Sequence, residues 1–81
     1  MPSASIIYTQ PPPNAAAVTP SDTTDLAHVT TCLWVGTQGD VEVDTLGGQT
    51  VVFPDVIGHL SGRFTRVRAA NTTASGIVAR W

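Results

Sequence analysis

DVEVDTLGGQTVVFP, residues 40–54, alternates strictly in its first half. Val41, Val43 and Thr45 fall on one face of an extended chain; Asp40, Glu42 and Asp44 fall on the other. That is the period-2 pattern of a half-buried strand. Gly47 and Gly48 then read as a two-residue hairpin turn, because both central positions of a type I′ turn need φ > 0. QTVVFP at 49–54 is β-branched and aromatic and returns antiparallel.

The same reading extends in both directions. Val29–Val35 (VTTCLWV) is a run of β-branched and bulky residues and predicts a strand, with Gly36–Gly39 as the turn after it. Downstream, 55–62 reads as a loop, 63–70 (RFTRVRAA) as a strand, 71–75 (NTTAS) as a turn and 76–81 (GIVARW) as the last strand. Five strands and no helix predict an all-β fold, a small antiparallel β-barrel or sandwich of about five or six strands. Val43, Val51, Phe53, Val67 and Ile77 are the expected core.

Residues 1–25 read differently. They hold five of the six prolines, and Pro11–Pro13 favour polyproline II. The expected organisation is an extended Pro/Ala/Thr-rich arm over 1–25 and a β-domain over 26–81. Ile6, Ile7 and Tyr8 are apolar beyond what a solvated tail needs, and would suit strand addition to another sheet.

Composition narrows the function. The chain has 81 residues, and a folded part this small needs a staple or a partner. One cysteine, Cys32, allows no internal disulfide. His28, Cys32 and His59 lack metal-ligand spacing, so neither metal nor cofactor is expected. Oligomerisation is the remaining source of stability, unless the domain is an unusually well-packed small barrel. Charged residues make up only 12%, about half the usual ~25%, which suits a surface covered by other subunits. A net charge of −2 argues against nucleic acid as a partner. No apolar run reaches the ~18 residues of a membrane span. The start lacks the basic region and long apolar run of a secretory signal, so synthesis in a cytoplasm without export is expected.

Catalysis finds no support. VGTQGD precedes a strand and lacks the Lys-Ser/Thr of a phosphate loop. Asp55, His59 and Ser61 come without a strained elbow or oxyanion feature. The chain is expected not to be an enzyme.

Three stretches together carry a resemblance: VTPSDTTDLA at 18–27, LWVGTQGDVEVDTLGGQTVVF at 33–53 and RFTRVRAANTTASGIVARW at 63–81. In order and spacing they resemble the head-spike base proteins of tailed phages and gene transfer agents. Cys32-Leu33-Trp34 departs from that pattern, where a smaller residue and tyrosine stand, and loop 55–62 does not align with the loop of the pattern. The resemblance implies a non-enzymatic virion protein. It would form a ring at capsid vertices, five-fold by that location, and contact itself, the major capsid protein and a spike or fibre protein. A capsid decoration (cement) protein and a small host-glycan-binding module are the alternatives.

The expected contact residues are Ile6, Ile7 and Tyr8 on the arm, Asp40, Glu42 and Asp44 on the acidic strand face, Arg63, Arg66 and Arg68 on the basic strand, and Trp81. Alternation puts Arg66 and Arg68 on one face with Phe64, and Arg63 on the other with Thr65 and Val67. The two charged faces either meet across subunits, where arginine's planar fork binds carboxylates bidentately, or pair within one sheet. Trp34 and Trp81 serve either as core-edge aromatics or as interface anchors.

Overall fold

The computed structural model describes residues 12–81, and it is all-β. The strands are β1 (Ala15–Ala17), β2 (Cys32–Thr45), β3 (Thr50–Ser61), β4 (Phe64–Arg68) and β5 (Ser75–Arg80). Every pairing is antiparallel, in one sheet of order β1-β5-β2-β3, with β4 also on β2. The sheet does not close into a barrel. Ile6, Ile7 and Tyr8 lie outside the described residues.

The alternation at 40–45 is as expected: Val41 and Val43 are fully buried. The boundaries are not. The expected turn at Gly36–Gly39 lies inside β2, which runs unbroken for 14 residues with register shifts between Val35 and Val41. These glycines serve close packing. A Cβ on Gly39 would sit 2.5 Å from the Ala74 nitrogen, so the neighbouring backbone occupies the space a side chain would need. The expected loop 55–62 is mostly the second half of β3. Pro54 and Asp55, the latter at φ 53°, read as a strand end but form an irregularity within an edge strand, where a missing N–H and a local bulge are tolerated.

The β2–β3 turn also differs from expectation. The Gly48 N–H donates to the Thr45 carbonyl at 3.0 Å, and only Gly48 of the glycine pair has positive φ, 94°. That is a turn followed by a left-handed bulge residue, not a two-residue type I′ turn.

β5 and β4 lie one after the other along the same flank of β2, opposite 32–37 and 42–45. The gap between them is filled by the Asn-Thr-Thr turn. The Asp40 N–H donates to Thr73 Oγ1 at 2.8 Å and the Glu42 N–H to Thr72 Oγ1 at 3.0 Å. Two threonine hydroxyls thus stand in for the carbonyls of a missing strand. A second irregularity lies opposite β4: Asp44 faces Arg66, but Thr45 faces Phe64. The extra residue turns Phe64 into the core beside Val67, not onto the arginine face where simple alternation put it.

β2 also folds back on itself. The Gly62 N–H donates to the Thr31 carbonyl just before β2, while the Leu46 N–H just after β2 donates to the Arg63 carbonyl. Both ends of a 14-residue strand therefore meet two consecutive residues. Thr30, the buried polar residue of the core, fastens this closure. Its hydroxyl donates to the Gly62 carbonyl at 2.8 Å and accepts the Phe64 N–H at 3.0 Å.

Inside the fold-back lie Leu33, Val35, Val41, Val43, Val67 and Ile77. Of the expected core, Val43, Val67 and Ile77 are buried and Phe53 packs against them. Val51 is 39% exposed, because β3 is the sheet edge and, among the described residues, no strand pairs with its far side. The expected arm joins the domain from Asn14 onward. β1 pairs with β5, Asn14 and Trp81 exchange two backbone hydrogen bonds, and the Ser21 and Leu26 N–H groups donate to Val67 and Thr65 on β4.

Two substitutions test this account. Gly39→Ala is expected to cost about 1–3 kcal/mol by overpacking. Thr30→Val keeps the volume but strips two buried backbone groups of their partner, at about 1–3 kcal/mol. Urea unfolding of both variants measures the losses; an unshifted midpoint for either would remove the corresponding contact from the account.

Candidate subunit interface

The charged strand faces are satisfied first within the chain. Because Asp44 and Glu42 face Arg66 and Arg68 across β2 and β4, the side chains meet on the outer side of the sheet. Arg68 forks onto Asp44, with Nε to Oδ1 at 2.8 Å and Nη2 to Oδ2 at 2.9 Å. Arg66 reaches Asp25 Oδ1 at 2.8 Å and the Asp22 carbonyl at 3.0 Å. Asp22 in turn accepts the Ala69 and Ala70 N–H groups. Glu42 accepts from the Asn71 side-chain amide at 3.1 Å, and Asp40 from the Asp55 N–H at 3.2 Å. This belt fastens segment 21–26 to β4. Arg63 is exposed and makes no ion pair among the described residues.

The aromatic and titratable residues singled out from the sequence lie apart. Trp81 stacks on His28 with centroids 4.5 Å apart, and Trp34 meets His59 edge-on at 5.1 Å. Among the described residues no three His, Cys, Asp or Glu side chains gather closely enough to hold a metal ion. Beside β1 lies a groove of about 110 Å³, lined by Ala16, Val18, Leu26, His28 and Trp81 among others. It is well below the ~300 Å³ of the smallest typical ligand sites.

The large exposed apolar side chains lie on and beside β3. The large hydrophobic side chains left exposed are Trp34, Leu46, Val51, Val52 and Ile57. Val51, Val52 and Ile57 are on β3, Leu46 is in its hairpin turn, and Trp34 stands opposite His59 of β3. None is on β1, β4 or β5. Across its 12 residues β3 carries one formal charge, Asp55. Edge strands are guarded by charges, prolines and bulges; β3 has Pro54 and the Asp55 irregularity at its middle, and its two halves are otherwise apolar and nearly free of charge.

No family model matches the chain, and no curated protein matches it. Among solved structures, a chain from the capsid of a native GTA particle computed with C5 symmetry matches with a TM-score of 0.80 and 36% identity, over 89% of this chain and 86% of that one. The chain belongs to a family of gene transfer agent capsid components.

In this capsid protein the expected contact residues separate into groups. Asp44, Arg66 and Arg68 are brought together, with one another rather than on an unpaired face. Asp40 and Glu42 bond to neighbouring residues of the same chain. Trp81 packs against the core edge and His28. Arg63 stays exposed. The β2–β3 rim was missed from the sequence, although its signal was present: VVFPDVIGHL is long, apolar and nearly uncharged.

The belt has a pH signature. The Arg68 fork, then the Thr50 hydroxyl, hold the Asp44 carboxyl at about 2, below its ordinary 3.8. A folded-state value below the unfolded one stabilises above the unfolded pKa and is lost as pH falls through the folded value. Thermal melts of wild type and Asp44→Asn should therefore differ most above pH 3.8 and converge as the pH falls towards about 2. A constant difference across that window would mean that Asp44 contributes through shape and not charge.

Proposed function

We propose that this capsid protein is the base of a head spike or fibre, a symmetric homo-oligomeric platform on the particle surface. Its work is adhesive and non-enzymatic: it holds neighbouring copies, the capsid and a spike or fibre protein in register. The observation that carries this reading is the apolar, nearly uncharged β2–β3 rim on a chain whose structural counterpart sits in a capsid reconstruction computed with C5 symmetry. A domain this small is stabilised by covering such a rim. Arg63, exposed and outside the belt, is the basic side chain best placed for a carboxylate on another protein.

The native mass of the purified protein tests the platform. A single oligomer of defined size is expected. A folded monomer, present in particles in numbers matching the capsid subunits and not the vertices, would replace the spike base with a cement protein.

Residues 1–11 precede the sheet domain, and the apolar set Ile6, Ile7 and Tyr8 supports a role for them in holding a second protein. Deleting 1–11 should leave the thermal midpoint unchanged and lower incorporation into particles. Normal incorporation would remove the arm from the proposed function.

A further inference from the structure

We propose that the β3 edge of one copy pairs antiparallel with the β1 edge of the next, so that the sheet runs on from copy to copy. This deepens the platform reading and rests on it.

A ring of more than two copies needs a heterologous interface, in which two different patches of the same chain fit one another. The sheet offers such a pair. Its path β1-β5-β2-β3 has four strands of alternating direction, so the two edges run opposite to each other. Copies arranged head to tail in one orientation therefore bring β3 against the next β1 in antiparallel sense, with no copy inverted. An odd number of alternating strands would place parallel strands side by side.

The edges also match in level and character. Ala17, Val78, Trp34 and His59 form one row across the sheet, and Ala15, Arg80, Cys32 and Ser61 another. β1 thus lies at the height of residues 59–61 of β3. Its three alanines are all exposed and present neither bulk nor charge. Among the described residues the far sides of β1 and β3 have no strand partner. The groove of about 110 Å³ opens beside β1 between Leu26 and Trp81, apolar and too small for a ligand, but suited to an aliphatic side chain from an arriving strand. The exposed aliphatic side chains are on and around β3. Donor and acceptor thus lie on opposite edges of one molecule, as a ring requires.

Paired cysteines test the contact. In a Cys32→Ser background, Ala15→Cys or Ala17→Cys would be combined with Ile57→Cys, His59→Cys or Ser61→Cys, and oxidised both in the purified oligomer and in particles. At least one combination should give a covalent ladder ending at the native oligomer, while each single variant should stay uncross-linked. Dimers formed by a single β3 cysteine would show a two-fold β3–β3 contact and overturn the proposal. So would cross-links from Ile7→Cys to β3 in place of β1, which would make residues 5–9 the occupant. An oligomer of defined mass with no β1–β3 cross-link in any combination would overturn this interface and leave the platform standing. In parallel, Ile57→Lys should shift the native mass to monomer with an unchanged circular dichroism spectrum.

Discussion

The structure depends on the folding back of one strand. A straight 14-residue strand would separate its ends by roughly 45 Å at the usual rise per residue, yet both ends of β2 are fixed to the adjacent Gly62 and Arg63. Curvature on this scale needs places where backbones approach without side chains, and Gly39 against Ala74 supplies the tightest. It also needs a fastening where the ends meet, and the Thr30 hydroxyl supplies that with one donated and one accepted bond. Once β2 has turned, its inward residues face one another and a core forms from a single sheet.

The rest of the architecture completes that arrangement. One flank of β2 is shared by β4 and β5, and the threonines between them satisfy the backbone that neither strand reaches. The outer side of the same flank is covered by segment 14–31, held by backbone bonds and by the Arg66–Asp25 pair. Among the described residues the other flank has only β3. One flank of β2 is therefore layered with further chain out to β1, while the other ends at the apolar rim of β3. This asymmetry, more than any single residue, is the basis of the proposal that the rim meets another molecule.

Much of this was legible in the sequence, and the misreadings have common causes. Alternation at 40–45 identified a strand and its buried face correctly, because a period of 2 is a local property. Gly36 and Gly39 looked like a turn because glycine has two uses, and only the tertiary partner, Ala74, tells them apart. Pro54-Asp55 looked like a strand end because a proline breaks a ladder, and the sequence does not say that β3 is an edge. The resemblance to phage and gene transfer agent proteins held at the level of the capsid family. The opposite charges of β2 and β4 were visible, but sign alone does not say whether two faces meet in one chain or two. The register does, by setting Asp44 against Arg66.

The pairing of Asn14 with Trp81 has a consequence for how the molecule comes into being. These two residues stand at opposite ends of the described chain, and β5, which carries Trp81 into place, is also the partner of the first half of β2. Nearly the whole polypeptide has to be threaded into one closed loop before its contacts repay the entropy of closing it. No hairpin in the sequence holds a complete core on its own. Folding is then expected to be slow for so short a chain and all-or-none, with the apolar rim first shaped on a finished domain and not on a partly folded one.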